Sequence, residues 1–167
     1  MRKSFTLPSG LHKRMAMACA GCGWVAPEGS GGCQEIFDEF LARDFTNALY
    51  GRFHRLMVDT YCLQHPDRYC ASAKSLAAHL GGLCCAVEHG ARPEAYKALQ
   101  RWLNGRPPIE KPELPSSRGA VTIADVKATP DPIEYAQAVQ RWARSTWEAY
   151  AILHPQARRY MQEALAR

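Results

Sequence analysis

Three cysteines near the start of this 167-residue chain constrain its folding more than any other feature. The run Cys19-Ala-Gly-Cys22-Gly23 places two thiols two residues apart, and Cys33 follows across a glycine-rich stretch. Two thiolates at that spacing can grip one metal ion from a tight turn, with glycines at 21 and 23 relieving the backbone. Seven cysteines in a chain with no export signal point to a reducing cytoplasm, where clustered thiols are metal ligands more often than bridges. A tetrahedral structural site needs four donors, so these three sulfurs call for one more, and zinc is the expected ion. A redox dithiol is a weaker reading, because no strand precedes Cys19 as a thioredoxin-like motif requires.

The remainder of the chain reads as helical. Cys33 opens a helix over about 32–43, with Ile36, Phe37, Phe40 and Leu41 at helical spacing and Ser30 as its cap. Thr46 caps a second helix over 47–64, stopped by Pro66. Ser72 caps a third that Gly90 ends, and Pro93 opens a fourth through Leu103. Residues 104–119 hold four prolines and form an extended connection. The β-branched segment 120–126 suggests one short strand. Asp131-Pro132 opens a long final helix, interrupted by Pro155 and resumed to about Ala166. The aromatic stripe Tyr135, Val139, Trp142, Tyr150 and Leu153 reads as core packing. The expected fold is mainly α: a bundle of about five helices with a zinc-knuckle-like N-terminal loop and a long proline-rich connection. Residues 1–18 form a flexible basic arm, and 19–167 a single helical domain.

Helix geometry ranks the histidines as fourth ligand. His54 and His65 would stand roughly 16 Å apart on one continuous helix, so both cannot bind one ion. If the first three helices are antiparallel neighbours, Cys33 lies level with about residue 57 of the second helix. His79, seven residues into the third, lies level with about residue 58 and is the favoured ligand, followed by His65 and then His54. Asp59, at the same level, is placed to orient a metal-bound imidazole or to pair with Arg55 one turn away. Cys62, Cys70, Cys84 and Cys85 show no ligand spacing among themselves, and of the adjacent Cys84 and Cys85 at least one is a small apolar filler.

These residues resemble a bacterial family classed as a domain of unknown function. The likeness rests on CxGCG, the later Cys33 with Phe37, the run HRLMVDTYCLQHP, the run SLAAHLGGLC and the tail WARSTWEAY, over about residues 19–160. The resemblance marks Cys19, Cys22, Cys33, His54, Asp59, His65 and His79 and brings no reaction with it.

Three functions follow from such a chain. The leading one is an accessory or protein-interaction module in which a closed zinc site pins the loop to the helices. The second is a metal-dependent hydrolase-like enzyme: three protein ligands would leave a position for activated water, with His54, Asp59 and His65 near it for acid–base work. The third is a zinc-containing nucleic-acid binder using the N-terminal arm, where Arg2, Lys3, Lys13 and Arg14 face Glu28 alone. The scattered charge elsewhere speaks against the third. No apolar run approaches the roughly 20 residues needed to cross a bilayer.

Overall fold

A computed structural model describes residues 18–27, 32–127 and 131–166. The basic arm up to residue 17 and the Ser30 cap lie outside the described residues. Nine α-helices are found among the described residues: α1 (Cys33–Thr46), α2 (Ala48–Gly51), α3 (His54–Gln64), α4 (Pro66–Tyr69), α5 (Ala73–Glu88), α6 (Pro93–Asn104), α7 (Ile123–Lys127), α8 (Pro132–Ala149) and α9 (His154–Leu165). A single 3₁₀ turn, Ala151–Leu153, separates the last two, and Pro155 sits in the first turn of α9. The expected helical architecture is therefore present, with more and shorter pieces than five.

Two differences stand out. The expected helix over 47–64 is broken at Arg52-Phe53, just after Gly51, which packs so closely on α1 that a β-carbon there would meet the Asp44 carbonyl oxygen at 2.6 Å. Asn47, rather than Thr46, caps the piece that follows, accepting from the Leu49 amide at 3.0 Å. The expected strand over 120–126 is instead the helical turn α7. Asp125 accepts from both the amide and the hydroxyl of Thr122, at 2.7 and 2.9 Å, and this closes a cap. Ile123 and Val126, three apart, then face the core together, which alternation could not achieve. Residues 106–119 form no helix or strand, as the prolines dictate.

The helices enclose two apolar clusters that meet along α3. One gathers Leu63, Leu80, Leu83, Leu99, Trp102 and Met161 from α3, α5, α6 and α9. The other gathers Phe37, Phe40, Met57, Tyr61, Tyr135 and Trp142 from α1, α3 and α8, and it includes Cys22 and Cys33. The N-terminal loop is thus an outgrowth of the second core.

The close approach of α5 to α6 depends on Gly81, and that of α5 to α3 on Gly82. A β-carbon on Gly81 would touch the Leu99 methyls at 3.0 Å, and one on Gly82 would meet Asp59 Oδ2 at 2.1 Å. Glycine inside a helix ordinarily costs stability, so its presence here marks packing that no larger residue fits. Gly82→Ala should therefore destabilise the protein by about 1–3 kcal/mol, the usual cost of overpacking, and urea unfolding would measure it. The cost should shrink when Asp59 is also shortened to Ala, because the clash partner is gone.

Candidate metal centre

The N-terminal loop is a knuckle built on backbone hydrogen bonds. The Gly23 amide donates to the Cys19 carbonyl at 2.8 Å, and the Cys19 amide donates to the Trp24 carbonyl at 2.9 Å. An isolated antiparallel bridge joins Ala18 to Val25 below them. Gly23 sits at φ 76°, a conformation open chiefly to glycine. The turn brings the Cys19 and Cys22 sulfurs to one side. Cys33, the first residue of α1, supplies a third sulfur.

The fourth member of the cluster is His65. One ligand atom from each of Cys19, Cys22, Cys33 and His65 lies within 4.8 Å of all the others, and together they could hold a metal ion. His65 Nε2 is 3.2 Å from the Cys33 sulfur and 3.5 Å from the Cys19 sulfur, which are themselves 3.4 Å apart. The other ring nitrogen, Nδ1, donates to the Tyr61 carbonyl at 2.8 Å. That bond fixes the tautomer and leaves the Nε2 lone pair facing the sulfurs.

Pro66 explains why His65 can reach. A residue before proline is pushed out of the helical region. His65 takes φ −123° and ψ 54°, between α3 and α4, and its ring swings toward the knuckle. Gln64, fully buried, anchors this break. Its amide nitrogen donates to the carbonyls of Arg118 and Val121 at 3.0 and 2.8 Å, and its oxygen accepts from the Trp142 indole at 2.8 Å. Tyr150 donates to the neighbouring Leu63 carbonyl at 2.6 Å. Gly21 completes the fit, since a β-carbon there would strike His65 Cδ2 at 2.5 Å and the Gln64 carbonyl at 2.7 Å.

Aromatic and polar neighbours hold the remaining parts. Tyr61 stacks between Phe37 and His65, with ring centroids 3.9 and 4.0 Å away. Its hydroxyl reaches the Cys33 sulfur at 3.8 Å and the Gln34 side-chain oxygen at 3.3 Å. That same oxygen accepts from Arg68 at 2.7 Å and Tyr69 at 2.8 Å, so α1, α3 and α4 are tied together beside the cluster.

Electrostatics sets the cluster apart from ordinary thiols. Burial pushes the Cys22 thiol up to about 12, and the nearby Cys33 and Cys19 sulfurs add to the rise. Cys33 is raised for the same first reason, burial. Burial opposes ionisation of Cys19 too, but the amides of Cys22 and Gly21 outweigh it and hold that thiol below its ordinary value. Burial holds His65 low and the Arg68 charge adds to it, although the bond to Tyr61 works the other way. A neutral imidazole is the ligand form. Three sulfurs this close cannot all ionise without a cation between them.

The other sequence candidates lie elsewhere. His79, the favoured fourth ligand on sequence grounds, sits on α5 with Nδ1 2.9 Å from Asp59 Oδ1 and is not a member of the cluster. Asp59 does orient an imidazole, but it is that of His79; the carbonyl of Tyr61 performs this task for His65. Arg55 Nε also approaches Asp59, at 3.7 Å. Burial raises the Asp59 carboxyl above the usual range against the pull of His79 and Arg55. His54 pairs with Asp44 at 3.2 Å at the start of α3 and is likewise outside the cluster. The antiparallel-ladder estimate failed because it assumed one unbroken helix over 47–64. Cys33 in fact stands level with Tyr61 and His65, one to two turns further along.

The chain belongs to DUF5946, a family of unknown function. The match runs over residues 17–158 and so takes in the whole quartet. Comparison with curated proteins and with solved structures gives no match.

All seven cysteines are free thiols. Cys62, Cys70, Cys84 and Cys85 lie in the apolar core, where burial pushes the first three up to about 12 and Cys85 to about 11. A thiol-reactive dye added to native, chelator-treated protein should therefore label no more than the three knuckle cysteines. Full labelling should require denaturant, and rapid modification of a core cysteine in the native state would contradict this burial.

Proposed function

We propose that the quartet is a structural zinc site and that the protein works as an accessory or protein-interaction module of the cytoplasm rather than through chemistry at the metal. The donor set carries this reading. Three thiolates and one imidazole match the Cys₃His composition of structural zinc. Bonds of about 2.3 Å to sulfur and about 2.0–2.1 Å to nitrogen give a tetrahedron with edges of about 3.5–3.8 Å. The separations of 3.2, 3.4 and 3.5 Å are close to those edges and need only small outward shifts. Zinc at this point would tie the knuckle to α1 and to the α3–α4 break.

Four protein donors leave no open coordination position for water, which an activated-hydroxide mechanism requires. His54 and Asp59, the residues considered for acid–base work, are engaged with Asp44 and His79. Free thiols throughout agree with a reducing compartment. Among the described residues no helix is long and apolar enough to cross a membrane. For a partner protein, the corner between α1 and α2 offers two apolar side chains, Phe45 at 84% exposure and Leu49 at 53%.

Metal analysis of the purified protein tests the site. One zinc per chain is expected in the wild type and in His79→Ala, with loss in Cys19→Ser, Cys33→Ser and His65→Ala. His79→Ala should instead lower stability by about 1–3 kcal/mol, because it leaves the buried Asp59 carboxylate without its hydrogen-bond donor. Zinc retained by His65→Ala, or a metal-free protein whose unfolding ignores zinc and chelator, would overturn the assignment.

A further inference from the structure

A second feature lies away from the quartet. A cleft of about 440 Å³ opens between α3, α5, α6 and α8. Its polar lining is cationic: Arg52 from the turn before α3, Arg55 from the first turn of α3, Arg144 from α8, with Gln140 one turn before Arg144. No carboxylate lines it. Phe53, Leu56, Val87 and Ala143 give it an apolar wall. The backbone turn at Gly90-Ala91, both with positive φ, closes one side without a large side chain.

The arginines are poorly neutralised. Among the described residues Arg52 and Arg144 have no ion-pair partner, and both are exposed. Arg55 is more constrained. Its guanidinium lies over the Tyr96 ring at 4.2 Å, and its Nε is buried without a hydrogen bond, 3.7 Å from Asp59. Asp59 is in turn bonded to His79, so the pair is a support under the cleft floor rather than a full counter-charge. Three like charges around one concavity repel each other, and an anion entering it relieves that repulsion. Guanidinium groups favour phosphoryl oxygens, which accept paired hydrogen bonds from their planar fork. The volume and the apolar wall suit a small molecule.

We propose that this cleft binds a small organic anion through a phosphoryl group, with Arg52 and Arg144 contacting the phosphoryl oxygens and Arg55 held in position by Asp59 and Tyr96. The site is separate from the metal centre, and its occupancy does not depend on the zinc assignment.

Inorganic pyrophosphate serves as the probe, titrated by calorimetry into the full-length protein at low and physiological salt. Saturable one-to-one binding is expected, weakened at least tenfold in Arg52→Gln and in Arg144→Gln. Arg101→Gln, an exposed charge on α6 outside the cleft, should bind as the wild type does. Metal content and urea midpoint, measured on each variant, should stay unchanged, which separates failure of this site from failure of the metal centre. Absence of saturable binding would overturn the proposal, as would binding indifferent to both cleft substitutions. Equal or tighter binding of citrate would reject the phosphoryl preference. Tighter binding of a twelve-nucleotide oligothymidylate, lost in the same two variants, would reassign the cleft to single-stranded nucleic acid.

Discussion

The end of α3 at Pro66 governs the metal centre. A helix continued through residue 65 would keep that residue at helical dihedrals, whereas it takes φ −123° and ψ 54°. Proline forbids the continuation by pushing the preceding residue out of the helical region. The resulting turn would be loose if its carbonyls went to solvent. Here the Tyr61 carbonyl accepts from the His65 ring, and the Leu63 carbonyl accepts from Tyr150. The Gln64 side chain spans to the proline-rich connection and to Trp142. The break is therefore held from three directions, and the imidazole is presented at a fixed angle before any ion binds. Such preorganisation lowers the ordering cost that a metal site otherwise bears.

The same sulfur chemistry has two outcomes in this protein, and position decides between them. The four core cysteines sit among aliphatic side chains, where burial keeps them protonated and they act as small apolar fillers. Of the three knuckle cysteines Cys22 and Cys33 are also buried, yet backbone amides point at two of the three sulfurs: those of Gly21 and Cys22 at Cys19, and that of Trp24 at Cys22. Amide donors stabilise thiolate, and a divalent cation held there would supply the remaining compensation. Local backbone geometry, set by glycines 21 and 23, thus separates ligand from filler.

Much of this was legible in the sequence, and the failures share one cause. Cys19, Cys22 and Cys33 were recognisable from spacing and glycine content, because a knuckle is a local structure. The long helices were readable from Ser72, Pro93 and Asp131-Pro132, which act as caps and first-turn residues where expected. The choice of His79 over His65 came from counting residues along helices taken as straight and continuous. The break at Arg52-Phe53 interrupts that continuity, and the packing of Gly51 on α1 beside it is a tertiary contact that no local pattern reveals. The helical turn at 123–127 was hidden for a related reason. Thr122 and Asp125 cap it, but β-branched composition pointed the other way. Gln64 carried no signal as a core residue, since its burial is compensated wholly by distant partners.

Helix α3 joins the two proposed sites without mixing them. Tyr61 faces Phe37 and the knuckle, Asp59 enters the space left by Gly82 on α5, and Arg55 turns to Tyr96 on α6. Residues 55 and 59 share one face of the helix at a spacing of four, whereas Tyr61 lies on another, stacked on His65. A substitution at Asp59 should thus be felt first by His79 and Arg55, and a substitution at Tyr61 first by His65 and Cys33. The two sites also differ in sign. A zinc ion held by three thiolates leaves a net negative charge at one place, and the arginine cleft is positive at another. Charges separated in this way along one rigid helix favour opposite ligands at each, so a small anion has no electrostatic reason to approach the thiolate site. That separation is why metal content and anion binding are expected to vary independently.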